Sequence, residues 1–465
     1  MPTASLDHID MGAPAAFVWD YDDRRPRLTR LYEKSKVSQW NATTDIDWKI
    51  AFDPGHTNEN DPRFAALTWA DADTDPIRQF MRSSEENHRA MAIADHAWLV
   101  SQFMHGEQGA LVATAKITAA AESIDDKYYA AAQVGDEARH VEAYQLYLQR
   151  VGTDFPITPS LHELLNQVMV QPHVDLTFLG MQILVEGVAL AAFSLGEALF
   201  SNPVITQVTE LVRRDEARHV AFGVLSLQGF YDDMDPIDLA VREDFILEAC
   251  SLMRDRFVPV QVWERFDLNV DQCKKRFLAS PDMQAFRSLM FSKVVPNLRK
   301  LGLLTPRVRE GFEQMGILRF ERFIDSATEA GELEPEDGSG ATDTTDPLSA
   351  LRVSLGDVQT IAVEPVLMVL AGLADRQRLA NVEDAVIRLN VTGIDHGDWT
   401  VNLSPQGVTY APTSDDVPPE VTATMDVGTW TEMITGKITA PAAVLGGKIT
   451  VEGDVLKAMS LEALL

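Results

Sequence analysis

The pentapeptide Asp-Glu-Ala-Arg-His occurs twice in this 465-residue chain, at 136–140 and again at 215–219. On an α-helix, residues three apart share a face and are separated by about 4.5 Å of rise. Each copy therefore offers a carboxylate and an imidazole to one object, Glu137 with His140 and Glu216 with His219. Two further glutamates stand in a fixed relation to these pairs. Glu107 precedes Glu137 by 30 residues, and Glu186 precedes Glu216 by 30. The midpoints, near 122 and 201, fall on turn signals: Ser123-Ile124-Asp125-Asp126 offers helix caps, and Ser201-Asn202-Pro203 is a cap followed by a proline. Folding each half into a helical hairpin sets a lone glutamate level with a Glu-x-x-His pair. Two such hairpins packed together bring four carboxylates and two imidazoles to the centre of a four-helix bundle. Four buried carboxylates are prohibitive without cations, and two metal ions neutralise them. Mixed carboxylate and imidazole ligation suits iron or manganese better than zinc.

The rest of the chain is compatible with this plan. Its length allows two or three domains, and 46% hydrophobic residues is ordinary for a globular protein. With 40 Lys and Arg against 70 Asp and Glu, the formal charge of −30 argues against nucleic acid or an anionic membrane as partner. Cys250 and Cys273, the two cysteines, cannot build a four-thiolate site or a disulfide framework, so a reducing cytoplasm is expected. The first residues, Met1 to His8, lack the basic and apolar regions of a signal peptide. Met181 to Phe200 is apolar apart from Gln182, Glu186, Ser194 and Glu197. Charges at the centre of a membrane span are costly, so this window is read as a buried core helix and no membrane span is expected.

Residues 1–75 have no sustained period and carry Trp19, Trp40, Trp48 and Trp69; they read as extended chain and short helices that wrap the next domain. Helices are expected from about 76, through a long one ending near Ala121, then to about Arg150, over 161–169, over 175–200, and to about Tyr231. Others should begin after Asp235-Pro236, Ser280-Pro281 and Thr305-Pro306, with no strand between 75 and 330. A polar stretch over 331–346 is a linker. Beyond it, 385–391 and 399–403 alternate as strands do, with 422–427 after them and helical stretches at 361–374, 428–435 and 455–464. That is a small α+β domain.

The two hairpins, over roughly 80–230, resemble the ferritin-like di-iron superfamily. Its members include acyl-carrier-protein desaturases, hydrocarbon monooxygenase hydroxylases, ribonucleotide reductase small subunits and arylamine N-oxygenases. The Asp-Glu-x-Arg-His pattern is especially similar to the hydrocarbon monooxygenases. The resemblance implies that Glu107, Glu137, His140, Glu186, Glu216 and His219 are metal ligands and the catalytic centre. It further implies that Asp136 and Asp215 accept hydrogen bonds from the ligand imidazoles, each serving the histidine of the opposite hairpin, with Arg139 and Arg218 tying the aspartates down. The implied cofactor is two iron ions, with manganese or a mixed Fe/Mn pair compatible, and O2 is the co-substrate.

Two departures stand out. Arylamine N-oxygenases carry a third histidine one turn before the last Glu-x-x-His, where this chain has Val212; hydrocarbon monooxygenases carry a threonine where it has Leu190. On these residues the chain belongs to neither group. His88, His96 and His105 read as structural, and Tyr144, one turn after His140, as a packed core tyrosine or a redox tyrosine. Phe103, Met104, Leu111, Gln182, Ile183, Leu190 and Phe193 lie within about two turns of the ligands and fit either core packing or an apolar pocket.

The run Gly447-Lys448-Ile449-Thr450-Val451-Glu452-Gly453-Asp454 looks like a sterol-carrier-protein lipid-transfer domain, the resemblance spanning about 347–465. Such domains hold apolar ligands or serve as fused dimerisation modules, which implies a homodimer. The expected fold is mainly α: an N-terminal wrapping segment (1–75), a ferritin-like four-helix-bundle core with extra helices (76–330), a linker (331–346) and a small α+β sterol-carrier-like domain (347–465). The expected function is a di-iron oxygenase or oxidase acting with O2 on a hydrophobic, lipid-like small molecule, with amine N-oxygenation as the alternative within the class. Electrons then come from an external donor, from the substrate or from peroxide. Iron handling as a ferroxidase, or lipid carriage with a vestigial metal site, are the readings from other classes.

Overall fold

The structure, a computed structural model, describes residues 9–55, 76–334, 361–371 and 384–457 apart from scattered positions within them, together with Arg352. Most of the expected helix at 455–464, most of the 331–346 linker, and parts of 1–75 and 361–374 lie outside the described residues.

Two helical hairpins form the centre. The first joins α3 (Glu85–Ala120) to α4 (Ile124–Val151). Helix α3 starts where the Ser84 side chain accepts from the Asn87 amide, with Glu85 and Glu86 placed against the positive end of the helix dipole. Helix α4 starts at the Ser123 cap and stops at Gly152, whose φ of 85° a side chain would resist. The second hairpin joins α7 (Glu186–Leu199) to α8 (Pro203–Leu227). Here Asn202 caps the backbone amides of Val204 and Ile205, and Pro203 takes the first helical position, where no amide is needed. Both turns therefore fall at the midpoints that the 30-residue spacings require.

Between α2 (Pro76–Ser83) and α7 come also α5 (Pro159–Met169) and α6 (Val174–Phe178). The run expected to be one α-helix over 175–200 is not uniform. Leu179–Val185 is π-helical and joins α6 to α7 immediately before Glu186. Such turns occur mostly as single insertions within α-helices and often at functional sites. The run Val174–Ser194 is long and apolar enough to cross a membrane, but 94% of its most apolar window is buried inside the protein. It packs as a core segment, covered on one side by α8, where Gly223 permits close approach: a Cβ there would lie 2.5 Å from the Gln182 Cβ.

Helix α1 (Pro26–Val37) lies against α4 and α8, anchored by Arg24 to Asp125 at 2.8 Å and Arg25 to Asp126 at 3.0 Å. After α8 come α9 (Pro236–Asp255), α10 (Val260–Arg265), α11 (Val270–Ala279), α12 (Pro281–Leu289), α13 (Val294–Lys300), α14 (Pro306–Met315) and α15 (Ser326–Glu329). Three of these begin at the prolines that announced them; the starts of the other four, α10, α11, α13 and α15, were not anticipated. Among the described residues no strand occurs between 76 and 330.

The C-terminal unit has its own core around a five-stranded sheet of order β3-β2-β1-β4-β5. Its strands are β1 (Ala385–Thr392), β2 (Asp398–Ser404), β3 (Gly407–Pro412), β4 (Val421–Asp426) and β5 (Ile449–Gly453). Strand β1 is central, antiparallel to β2 and parallel to β4, and its alternate residues Ala385, Ile387, Leu389 and Val391 are buried. Asp426 caps α16 (Val427–Ile434), and Thr439 caps α17 (Ala440–Leu445). Alternation identified β1, β2 and β4; the edge strands β3 and β5 have less regular burial, as exposed edges do.

Candidate metal centre

Glu107 on α3, Glu137 and His140 on α4, Glu186 at the start of α7, and Glu216 and His219 on α8 are all buried. Donor atoms of Glu107, Glu137, His140 and Glu216 lie within 4.8 Å of one another, as do those of Glu137, Glu186 and His219. The two groups share Glu137. His140 Nδ1 is 3.1 Å from Glu107, 3.2 Å from Glu137 and 3.3 Å from Glu216. His219 Nδ1 is 3.1 Å from Glu137 and 3.3 Å from Glu216. Each ring thus turns one nitrogen to the carboxylates and the other away.

The outward nitrogens meet aspartates across the bundle. His140 Nε2 is 3.2 Å from Asp215 Oδ2, and His219 Nε2 is 3.2 Å from Asp136 Oδ2. The remaining oxygens of these aspartates are held by the arginines three residues on, Arg139 on Asp136 and Arg218 on Asp215. All ten residues singled out in the sequence are therefore in one connected cluster.

Three further participants were not singled out in the sequence. Gln133, one turn before Glu137, donates its amide to Glu137 and Glu186, both at 2.9 Å. Trp40 donates its indole N–H to Asp215 at 2.7 Å and stacks near His140 at 6.1 Å between ring centres. Gln39 donates to Asp136 at 3.1 Å and accepts from Arg139 at 2.6 Å. Gln133 could have been found by the same one-turn rule that pairs Glu137 with His140. Gln39 and Trp40 lie on an aperiodic stretch with nothing local to announce them. The π turn shifts the helical phase ahead of Glu186, and Gln182 within it turns its amide to Thr114 at 3.5 Å. Of the other residues weighed as lining, Phe103, Phe193 and the core tyrosine Tyr144 form one aromatic group with ring separations of 4.9 to 6.3 Å. His96 bonds Tyr147 at 2.8 Å, His105 bonds the Phe155 carbonyl at 2.9 Å, and His88 is exposed.

The electrostatics are those of a cluster that needs cations. Burial, with the Glu216 charge next, holds the Glu107 carboxyl well above its usual range; burial and the charges of Glu216 and Glu137 do the same to Glu186. Burial also acts on Glu137, but the adjoining His219 and His140 outweigh it and hold that carboxyl low. Burial disfavours charge on both imidazoles, yet the surrounding carboxylates raise both well above the ordinary histidine value. Meanwhile Glu137 Oε2, Glu186 Oε2, both Glu216 oxygens and His219 Nδ1 are buried without a hydrogen bond. Carboxylate oxygens are acceptors, and buried acceptors without donors are expensive. A pair of divalent or trivalent cations fits this donor set, because it would engage the orphaned oxygens and offset their charge.

A helical bundle centred on such a cluster is the ferritin-like di-metal carboxylate class. Comparison with known families carries this further. The family described as "P-aminobenzoate N-oxygenase AurF" matches residues 21–302, more than half the chain, and "SCP-2 sterol transfer family" matches 369–465. The chain belongs to the P-aminobenzoate N-oxygenase AurF family, with an SCP-2 domain following, and is a di-iron oxidoreductase by class. This corrects the expectation drawn from Val212 and Leu190: the chain stands inside the N-oxygenase family even though a buried valine occupies the third-histidine position.

Among curated proteins, "Uncharacterized protein Mb0909" of Mycobacterium bovis and "Uncharacterized protein Rv0885" of Mycobacterium tuberculosis are each 24% identical over 305 residues, covering 61% of this chain and 84% of theirs. Among solved structures, an R2-like ligand-binding oxidase with an aerobically reconstituted metal cofactor is 15% identical, covers 66% of this chain and 95% of its own, and has a TM-score of 0.35. A variant of that oxidase with an anaerobically reconstituted Mn/Fe cofactor is 17% identical, covers 60% and 94%, and has a TM-score of 0.38.

Proposed function

We propose that this protein binds two iron ions, or an Fe/Mn pair, and uses O2 to oxidise a small hydrophobic molecule, with N-oxygenation of an amine favoured within that class by the family match. The observation that carries the reading is the set of orphaned carboxylate oxygens at the centre of the bundle. Glu107, Glu137, His140, Glu186, Glu216 and His219 are the proposed ligands. When bound, the metal pair supplies the redox chemistry that O2 activation requires.

The chain's own residues do the rest. Asp136 and Asp215 hold a proton on the Nε2 of His219 and His140 and so leave each Nδ1 free as a donor toward metal. Arg139 and Arg218 hold those aspartates in place. Gln133 ties Glu137 to Glu186 across the two hairpins. Phe103, Tyr144 and Phe193 form an apolar wall that limits water near Glu107. Electrons come from an external donor or from the substrate, since Cys250 and Cys273 are both buried and too few for a cluster of their own. The SCP-2 domain supplies a hydrophobic ligand site or the contact of a homodimer, and the protein works in the cytoplasm. Glu137→Ala removes the carboxylate common to both donor groups, so metal content should fall and O2 uptake should be lost. Wild-type metal content and O2 uptake in that variant would reject the assignment.

A further inference from the structure

Helix α1 is basic in an acidic protein. Residues 24–36 hold six cations, Arg24, Arg25, Arg27, Arg30, Lys34 and Lys36, against one acid, Glu33, in a chain whose formal charge is −30. Three acids that anchor this segment are buried beneath it. Asp125 meets Arg24 at 2.8 Å, Asp126 meets Arg25 at 3.0 Å, and Glu332 meets Arg30 at 3.5 Å as well as Lys34. The cations therefore form an outer layer over an inner anionic one, and the face turned to solvent is positive. Helical spacing sorts that face further. Arg27, Arg30 and Lys34 stand at i, i+3 and i+7 and are exposed, and Val37, 86% exposed, continues the same stripe. Leu28, Leu31 and Ser35 take the buried side of the helix.

The stripe leads to the metal centre. Trp40, three residues past Val37, donates its indole N–H to Asp215 at 2.7 Å, and Asp215 is 3.2 Å from His140 Nε2. The Trp40 and His140 ring centres are 6.1 Å apart. Arg139 lies 5.5 Å from the Trp40 ring centre and donates to the exposed Gln39, which adds a part-exposed cation at the same place. We infer that the α1 stripe docks a small acidic protein that carries single electrons and delivers them on the His140 side of the centre. The occupant follows from charge and position. An anionic surface complements the stripe, one helix face matches the small interfaces of transient electron carriers, and a hydrogen-bonded connection runs from its end to a proposed ligand. Each encounter oxidises the carrier by one electron and reduces the metal pair by one, with no covalent bond made or broken. This rests on the proposed function and narrows its electron source to a protein donor of negative charge.

The probe is a plant-type [2Fe–2S] ferredoxin, a small acidic one-electron carrier, titrated in its oxidised form with the full-length protein and followed by fluorescence anisotropy. Net charge alone predicts repulsion between two acidic proteins, so affinity would rise as salt screens it. Docking on the stripe predicts the opposite, a fall of about 10-fold or more between about 20 and 300 mM NaCl. Arg27→Glu combined with Arg30→Gln should weaken low-salt binding about 10-fold. Lys274→Gln combined with Lys275→Glu, the same change of charge at exposed positions on α11, should leave it within about twofold. Stopped-flow reduction of the iron-loaded protein by reduced ferredoxin should show the same salt dependence and the same loss in the stripe variant. Absence of ferredoxin binding, affinity that rises with salt, equal losses in the two variants, or stripe-dependent binding to anionic phospholipid vesicles in place of ferredoxin would each overturn the inference. Iron analysis of the same samples separates the two readings, because docking needs no metal. Stripe-dependent binding by protein that takes up no iron would support the docking surface while rejecting the metal centre. Full iron content with no ferredoxin binding would do the reverse.

Discussion

Asp215→Asn changes one atom and should uncouple the second hairpin from the histidine of the first. Asp215 is buried and receives three donors: the His140 ring nitrogen at 3.2 Å, the Trp40 indole at 2.7 Å and the Arg218 guanidinium. Burial pushes its carboxyl up, but the bond from His140 and the charges of His140 and Arg218 more than compensate, and it stays ionised. An asparagine has one acceptor oxygen and a donating amide where three donors converge. At least one donor is left facing another donor. Losing the carboxylate behind a metal-binding histidine typically costs about 10- to 100-fold in metal affinity or activity. The stability cost should be about 2–3 kcal/mol, toward the lower end for a broken buried pair, because Arg218 keeps the Arg214 carbonyl at 3.0 Å and some exposure to water. Competition of iron(II) against a chromophoric chelator reads the first number, and urea denaturation reads the second. Trp40→Phe removes one of the three donors and should cost less on both scales, which separates loss of charge from loss of packing. Wild-type iron affinity in Asp215→Asn would refute the chain of reasoning from aspartate to histidine to metal.

Other consequences can be measured directly. In metal-free protein the Glu107 and Glu186 carboxyls and both imidazoles are raised, the carboxyls by burial first and the imidazoles by their carboxylate neighbours against burial, so protons occupy the cluster near neutral pH. Metal must displace those protons, so iron(II) uptake should release protons to a pH indicator and its affinity should rise with pH; uptake without proton release would contradict this. Gly223→Ala should destabilise the protein by about 1–3 kcal/mol through overpacking, because the added carbon would lie 2.5 Å from the Gln182 Cβ in the π turn. A melting temperature equal to wild type would mean that the π turn yields freely. Asp175→Ala strands the buried Arg242 and should cost about 3–5 kcal/mol in urea denaturation, with iron affinity unchanged; a loss within error would show that water satisfies the guanidinium.

The parts of the fold that follow from local rules were legible in the chain. Capping residues Ser123, Asn202 and Asp235, the last two followed by prolines, set where helices begin, because unpaired backbone groups at a helix end need a partner. Equal spacings about two turns then brought Glu107 level with Glu137 and Glu186 level with Glu216, which depends only on helical rise. The cross-hairpin pairing of Asp136 and Asp215 needed a family resemblance, since nothing local states which histidine an aspartate faces. What stayed hidden is tertiary. Trp40 and Gln39 reach the aspartates from a segment whose own sequence has no period, and they do so because α1 lays that segment over α4 and α8. The π turn inserts a residue into a window whose composition fits an ordinary α-helix. The edge strands β3 and β5 alternate weakly because water covers part of them.

Anomalous X-ray diffraction at the iron edge, on crystals of protein loaded with iron(II), tests the central claim most directly. Two peaks should appear inside the four-helix bundle, with Glu137 and Glu216 adjoining both and His140 and His219 one each through Nδ1. Protein saturated with iron that shows no anomalous density among these residues, or density bound elsewhere in the chain, would contradict the account.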